Sequence, residues 1–224
     1  MEKKLIAGLD IGGSKIRAVL WDGKNVLAAR EAKTPKNLSG FKKTLKKLVG
    51  SHPKIGIAVP GRARNAIFIS ATNLPYIRNF DFAKFFFDKK VKVAHDAWCF
   101  ARAEYEDRRT TFFLTLGTGI GRAAGKCGKV LKIKNFEYPA RWERKYKKIR
   151  DSHNNAALAM FLAKKLNGVI KTYKIEKVVI GGGAASGQTR KNFAAKLQKT
   201  LGLPVKKSKL SKNSVAIGAA MLFQ

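Results

Sequence analysis

Three short glycine clusters are the residues of this chain best suited to holding a phosphate. They are Asp10-Ile11-Gly12-Gly13-Ser14-Lys15, Gly117-Thr118-Gly119-Ile120-Gly121 and Gly181-Gly182-Gly183, and each closes an apolar run. Glycine lacks the Cβ that would keep backbone N–H groups away from an anion, so such turns can cradle one. Taken singly, each reads first as a tight hairpin; three of them in a repeated layout put the phosphate reading level with that one. Neither a Walker loop nor a dinucleotide fingerprint fits, because the first two clusters join strand to strand and not strand to helix.

The elements that must position these turns follow a repeated grammar. Leu5-Ile6-Ala7-Gly8-Leu9 reads as a strand, the first glycine cluster as a turn, and Ile16-Arg17-Ala18-Val19-Leu20 as a returning strand. Asp22-Gly23 is a hairpin turn before a third strand, Val26-Leu27-Ala28-Ala29, and a helix over 39–49. Thr111-Phe112-Phe113-Leu114-Thr115-Leu116 restarts the same order at an offset of about 105 residues, which predicts two similar domains. Between the repeats lie a buried-type strand Ile55-Gly56-Ile57-Ala58-Val59, a strand at 66–70, a short apolar helix over 80–87 capped by Asp81, and a strand at 91–94. A helix opened by Asp96 runs to about 106. After the second meander, 134–152 shows no clear period. A long helix over 154–173, a strand at 178–180, a helix over 187–201, a short strand at Val205 and a C-terminal helix over 214–222 complete the chain.

Composition sets the limits. The chain has 224 residues with 45% hydrophobic content, enough for a real core and for one large or two small domains. Its longest apolar run, 156–163, is too short to span a bilayer, and the basic start lacks a signal-type cleavage site. Two cysteines, Cys99 and Cys127, and the scattered His52, His95 and His153 have no metal-ligand spacing, so no zinc is expected and a reducing cytoplasm is the default. Lys and Arg outnumber Asp and Glu by 47 to 14, a net charge of +33. Such a surface attracts polyanions nonspecifically. Its lysines are spread over nearly every polar segment. Lys42/Lys46 and Lys43/Lys47 even repeat like charges at helical i,i+4 spacing, which disfavours one dedicated groove. That spread suggests a surface whose acids have been replaced wholesale, by engineering or in an unusual lineage, around an unaltered core.

Taken in order, the motifs resemble those of the ROK family of sugar kinases, within the actin/hexokinase/Hsp70 superfamily. Leu9-Asp10-Ile11-Gly12-Gly13-Ser14-Lys15-Ile16 is similar to its first phosphate motif, Gly117-Thr118-Gly119-Ile120-Gly121 to its second, and Val179-Ile180-Gly181-Gly182-Gly183 to its adenosine motif. Gly56-Ile57-Ala58-Val59-Pro60-Gly61, Thr72-Asn73-Leu74-Pro75, His95-Asp96-Ala97-Trp98-Cys99-Phe100-Ala101 and Ala216-Ile217-Gly218-Ala219-Ala220 fall in the family's order as well.

The resemblance implies an α/β protein of two ribonuclease-H-like domains facing across a cleft. The first would hold 1–108 with 213–224 and bind sugar and phosphate; the second, 109–212, would bind nucleotide. It implies ATP and Mg²⁺ as cofactors, with Asp10 on the metal. Gly12, Gly13, Ser14 and Lys15, then Gly117, Thr118, Gly119 and Gly121, would close on the phosphates, with Gly181, Gly182 and Gly183 against the adenosine. Asp96 would accept the proton of the attacking sugar hydroxyl, although its place after a strand also suits a helix N-cap. Gly61, Asn73, His95, Asp96 and Glu137 would line a hexose or N-acetylhexosamine.

The departures are equally definite. His95 stands where the family has Asn, Arg122 where it tends to have Gly, and the Glu-x-Gly-His and Cys-rich zinc motifs are missing, leaving Glu137 as the nearest carboxylate. Two rival readings remain open: a non-catalytic nucleotide or sugar binder of the same fold, and a polyanion binder for nucleic acid or polyphosphate. A related variant keeps the kinase and takes polyphosphate as donor. No membrane association is expected, and a homodimer is left open.

Overall fold

β1 (Ile6–Ile11) is buried along almost its whole length, as a central strand must be when both its faces are covered. It pairs antiparallel with β2 (Lys15–Trp21) and parallel with β4 (Lys54–Val59). With β3 (Val26–Lys33) and β8 (Lys90–His95) these form a five-stranded sheet in the order β3-β2-β1-β4-β8. A second sheet repeats that succession with β9 (Thr111–Leu116), β10 (Ile120–Lys126), β11 (Lys129–Leu131), β12 (Lys177–Gly181) and β13 (Val205–Lys207), in the order β11-β10-β9-β12-β13. The coordinates are a computed structural model that describes residues 5–131, 140–186 and 190–224. The chain divides into two compact units, Met1–Ala103 with Asn213–Gln224, and Glu104–Lys212.

In the first unit, α1 (Leu38–Val49) buries Phe41, Leu45 and Val49 and turns its lysines outward, with Asn37 accepting the Gly40 N–H as the cap. α8 (Ser214–Ala220) brings the C-terminus back onto β1 and β4. The approach is backbone to backbone. A Cβ on Gly8 would stand 2.0 Å from the Ala216 carbonyl oxygen, one on Gly56 1.8 Å from that of Ala219, and one on Gly218 1.8 Å from that of Cys99. Cys99 belongs to α3 (Asp96–Glu104), so three glycines let two strands and two helices meet without side chains between them. The second unit buries Phe112, Leu114, Tyr146, Leu158, Leu162, Phe193 and Leu197 around its sheet. These come largely from α4 (Ala140–Asp151), α5 (Asn155–Tyr173) and α7 (Phe193–Leu201).

Three stretches differ from the sequence expectation. Phe80 pairs with Phe68 across a small antiparallel sheet of β5 (Arg62–Arg64), β6 (Ile67–Ser70) and β7 (Phe80–Asp81), so the expected helix over 80–87 shrinks to α2 (Phe82–Phe85). Asp81 does cap it, accepting the Ala83 and Lys84 N–H groups at 2.9 and 3.0 Å. The stretch read as aperiodic contains α4, whose Trp142, Tyr146 and Ile149 form an apolar face diluted among charges. The expected helix over 187–201 starts only at Phe193, after the short α6 (Gly183–Ser186). No helix among the described residues is long and apolar enough to cross a membrane.

Candidate active site

The parallel strands β1, β4 and β8 end together, and the carboxylates stand at that end. Asp10 is in register with Ala58 on β4, and Ala58 with Ala94 on β8. Two residues beyond Ala94 comes Asp96. The alanines in that row take little space, and the carboxyl ends of parallel strands are where ligands bind in open α/β sheets. Burial, reinforced by the negative charge of Asp96, lifts the Asp10 carboxyl from 3.8 to about 7 against the pull of Arg17. Arg17 is the cross-strand neighbour of Asp10 and also binds Glu31 on β3.

His95 and Asp96 open α3 together. Asp96 Oδ1 accepts the Ala97 N–H at 2.6 Å, and His95 Nδ1 lies 3.0 Å from the same oxygen and 3.2 Å from the Ala97 nitrogen. His95 thus holds the cap position expected for Asp96. Asp96 sits one residue further on, in the first turn, where the positive end of the helix favours an anion. Cys99 lies fully buried one turn along, its thiol pushed well up by burial and by both carboxylates.

The first glycine turn is closed by the Gly12 N–H donating to the Lys15 carbonyl at 2.9 Å. Thr34, just past β3, holds it from behind: its hydroxyl donates to the Gly12 carbonyl at 2.7 Å and its N–H to the Ser14 carbonyl at 3.0 Å. Asn73 lies directly against Gly13, where a Cβ would come within 2.8 Å of its amide nitrogen. The Lys15 ammonium is on Glu31 at 2.5 Å. Gly61 follows β4 with a φ of +76°, and Ser70 backbone leaves no room for a side chain there.

In the second unit the other two clusters are neighbours. Gly121 on β10 and Gly181 at the end of β12 both pair with Thr115. Gly182 has a φ of +89° and lies so close to Leu116 that a Cβ would be 2.4 Å from its carbonyl oxygen. The second turn is closed by the Gly117 N–H on the Gly119 carbonyl at 3.0 Å. Thr118 stands at its tip. Gly183 opens α6.

Side chains outside every motif brace this turn: Tyr146 and Arg150 reach its carbonyls from α4, and Glu143 stands beside Gly119. Arg190, nearly fully buried, ties Asn155 to the Arg150 carbonyl. Sequence reading missed Thr34, Tyr146, Arg150 and Arg190. The i, i+3, i+7 spacing of Glu143, Tyr146 and Arg150 is the one signal that would have shown the α4 face. Glu137 lies outside the described residues. Among the described residues no group of three or more His, Cys, Asp or Glu could hold a metal unaided.

Two units with one five-stranded order, each carrying a glycine turn after its first strand, define the actin-like ATPase fold. Solved structures share it along nearly the whole chain. A ROK family glucokinase from Streptomyces griseus, in complex with glucose and AMPPNP, aligns with a TM-score of 0.80 and 19% identity, covering 97% of this chain and 98% of its own. The inorganic polyphosphate/ATP-glucomannokinase from Arthrobacter sp. strain KM gives 0.75 and 22%, with 97% of each chain covered. A ROK family transcriptional regulator, a homolog of the E. coli MLC protein, gives 0.71 and 14%, covering 99% of this chain and 78% of its own. The model of the ROK family matches residues 6–132, and the chain belongs to that family. No curated protein matches it in sequence.

Proposed function

We propose that this protein transfers the γ-phosphoryl group of ATP to a hydroxyl of a hexose or N-acetylhexosamine. The observation that carries the reading is the carboxylate pair at the strand ends, where burial and Asp96 hold Asp10 well above the usual carboxylate range. Two carboxylates at one strand end favour a cation beside them. Mg²⁺ suits such a donor set, since it takes one or two carboxylates and fills its shell with water and phosphate oxygens. Asp10 is the residue that would hold it, and its chemistry there is neutralisation of phosphate charge.

Asp96 takes the proton of the attacking hydroxyl. Phosphoryl transfer depends mainly on positioning and charge neutralisation, so a carboxylate serves as a late proton acceptor. The Ala97 N–H fixes it through Oδ1, leaving the other oxygen for the substrate. In this reading 1–108 with 213–224 bind the sugar, with Gly61, Asn73, His95, Asp96 and Glu137 as its contacts, and 109–212 bind the nucleotide. Gly13 and Ser14 and then Thr118 and Gly119 offer N–H groups to the phosphates, Gly12, Gly117 and Gly121 keep the backbone beside them bare of side chains, and Gly181, Gly182 and Gly183 let the adenosine approach the backbone. Lys15, paired with Glu31, must exchange that partner to reach a phosphate.

ADP release with ATP and Mg²⁺ over a panel of hexoses and N-acetylhexosamines tests this, with polyphosphate as a second donor. Sugar-dependent release is the expected result. Folded protein that binds ATP but turns over no sugar would instead be a binder without catalysis.

A further inference from the structure

We infer that Arg150 is a positioning residue that aims the backbone of the second phosphate turn at the nucleotide, a reading that rests on the nucleotide site proposed above. Arg150 Nη1 donates to the Gly117 carbonyl at 2.8 Å and to the Thr118 carbonyl at 3.1 Å. The buried Tyr146 hydroxyl donates to the same Gly117 oxygen at 3.0 Å, and burial lifts that phenol to about 12, so it stays a donor. Peptide units are planar and trans, so fixing one carbonyl fixes the next N–H in the opposite direction. Pinning Gly117 and Thr118 from α4 therefore points the Thr118 and Gly119 N–H groups away from α4. The Gly117 N–H is already spent on the Gly119 carbonyl, which leaves those two as the donors the turn can offer.

The guanidinium is itself held. Its Nε and Nη2 donate to the two carboxylate oxygens of Asp151 at 2.7 and 3.1 Å, and it lies 5.7 Å from the centre of the Tyr146 ring. Arg190 fixes the backbone beneath it, donating to the Arg150 carbonyl at 2.6 Å and to Asn155 at 2.5 Å. The opposing charge on the same face is Glu143, whose Oε1 would be 3.1 Å from a Cβ on Gly119 and which pairs with Lys147 at 3.4 Å. A planar fork that spans a carboxylate on one edge and two carbonyls on the other cannot be replaced by an ammonium. Thr34 holds the first turn with its hydroxyl on the Gly12 carbonyl and its N–H on that of Ser14, so both turns are oriented by residues outside their motifs.

The test is calorimetric titration of wild type, Arg150→Lys, Arg150→Ala and Tyr146→Phe with ATP, ADP and adenosine. Thermal melts confirm that each variant is folded, and Arg150→Lys keeps a cation on Asp151 should Arg150→Ala not fold. Both Arg150 variants are expected to lose about tenfold or more in affinity for ATP and ADP, the size of a lost charge-assisted contact set. Adenosine, which has no phosphate to feel the turn, should bind within about twofold of wild type, and methylguanidinium should restore part of the ADP affinity of Arg150→Ala. Equal ATP affinity in wild type and both variants overturns the inference alone, as does a parallel loss of adenosine. A wild type that binds no nucleotide overturns the nucleotide site and this inference with it.

Discussion

Asp10 shows how a site residue works against the fold that holds it. Its native carboxyl, near 7, binds a proton that the unfolded carboxyl, near 3.8, has released, so the folded state holds more protons between about pH 4 and 7. Stability from this group is therefore full below pH 4 and lost as pH rises through 7. Asp10→Asn removes the penalty: thermal melts at pH 8 should rise by several degrees, a gain on the order of a few kcal/mol, with little change at pH 4. Sugar phosphorylation should vanish in the same variant. Asp107 has the opposite sign. Lys177, buried, donates to it at 2.6 Å and holds its carboxyl near 2, so its contribution is present above pH 4 and fades as pH falls toward 2. Asp107→Asn strands the buried ammonium and should cost about 1–3 kcal/mol in denaturant titration at pH 7, moderated because the Asp107 side chain is one-third exposed.

Elements differ in how plainly the sequence announced them. The strands and glycine turns of both sheets were legible because each apolar run ends in glycine and reverses, and the repeat shows the grammar twice. α4 was not, since Trp142, Tyr146 and Ile149 are spaced among eight charged residues that obscure the stripe. Short edge strands such as β5, with all three residues exposed, leave no hydropathy signal at all. The motif residues of the site were visible as types, but their braces were not, because Thr34 and Arg150 act through carbonyls far from them in sequence. The close seating of α8 was also hidden, its glycines reading as mere small residues. Gly218→Ala should force the backbone of α8 off that of α3, costing about 1–3 kcal/mol and lowering the melting temperature by several degrees in calorimetry.

For the whole molecule the net charge of +33 dominates. The like-charged lysines along the exposed face of α1 repel their neighbours in the folded state more than in the open chain, and so do those of β13 among themselves. Raising NaCl from about 20 to about 300 mM shortens the screening length severalfold and should raise the melting temperature of the apo protein by several degrees. A temperature independent of salt would mean that the charges sit too far apart to matter. Short polyphosphate at low salt should mimic the effect without restoring activity to an inactive variant.

The most direct test of the account is single-turnover ADP formation by wild type and Asp96→Asn with a saturating sugar, alongside their affinities for ATP. Asp96→Asn keeps the shape of the α3 opening and removes the proton acceptor together with the charge that acts on Asp10. The account predicts a rate reduced by about a thousandfold or more, with ATP affinity within about twofold of wild type. A variant that turns over sugar at the wild-type rate would contradict it.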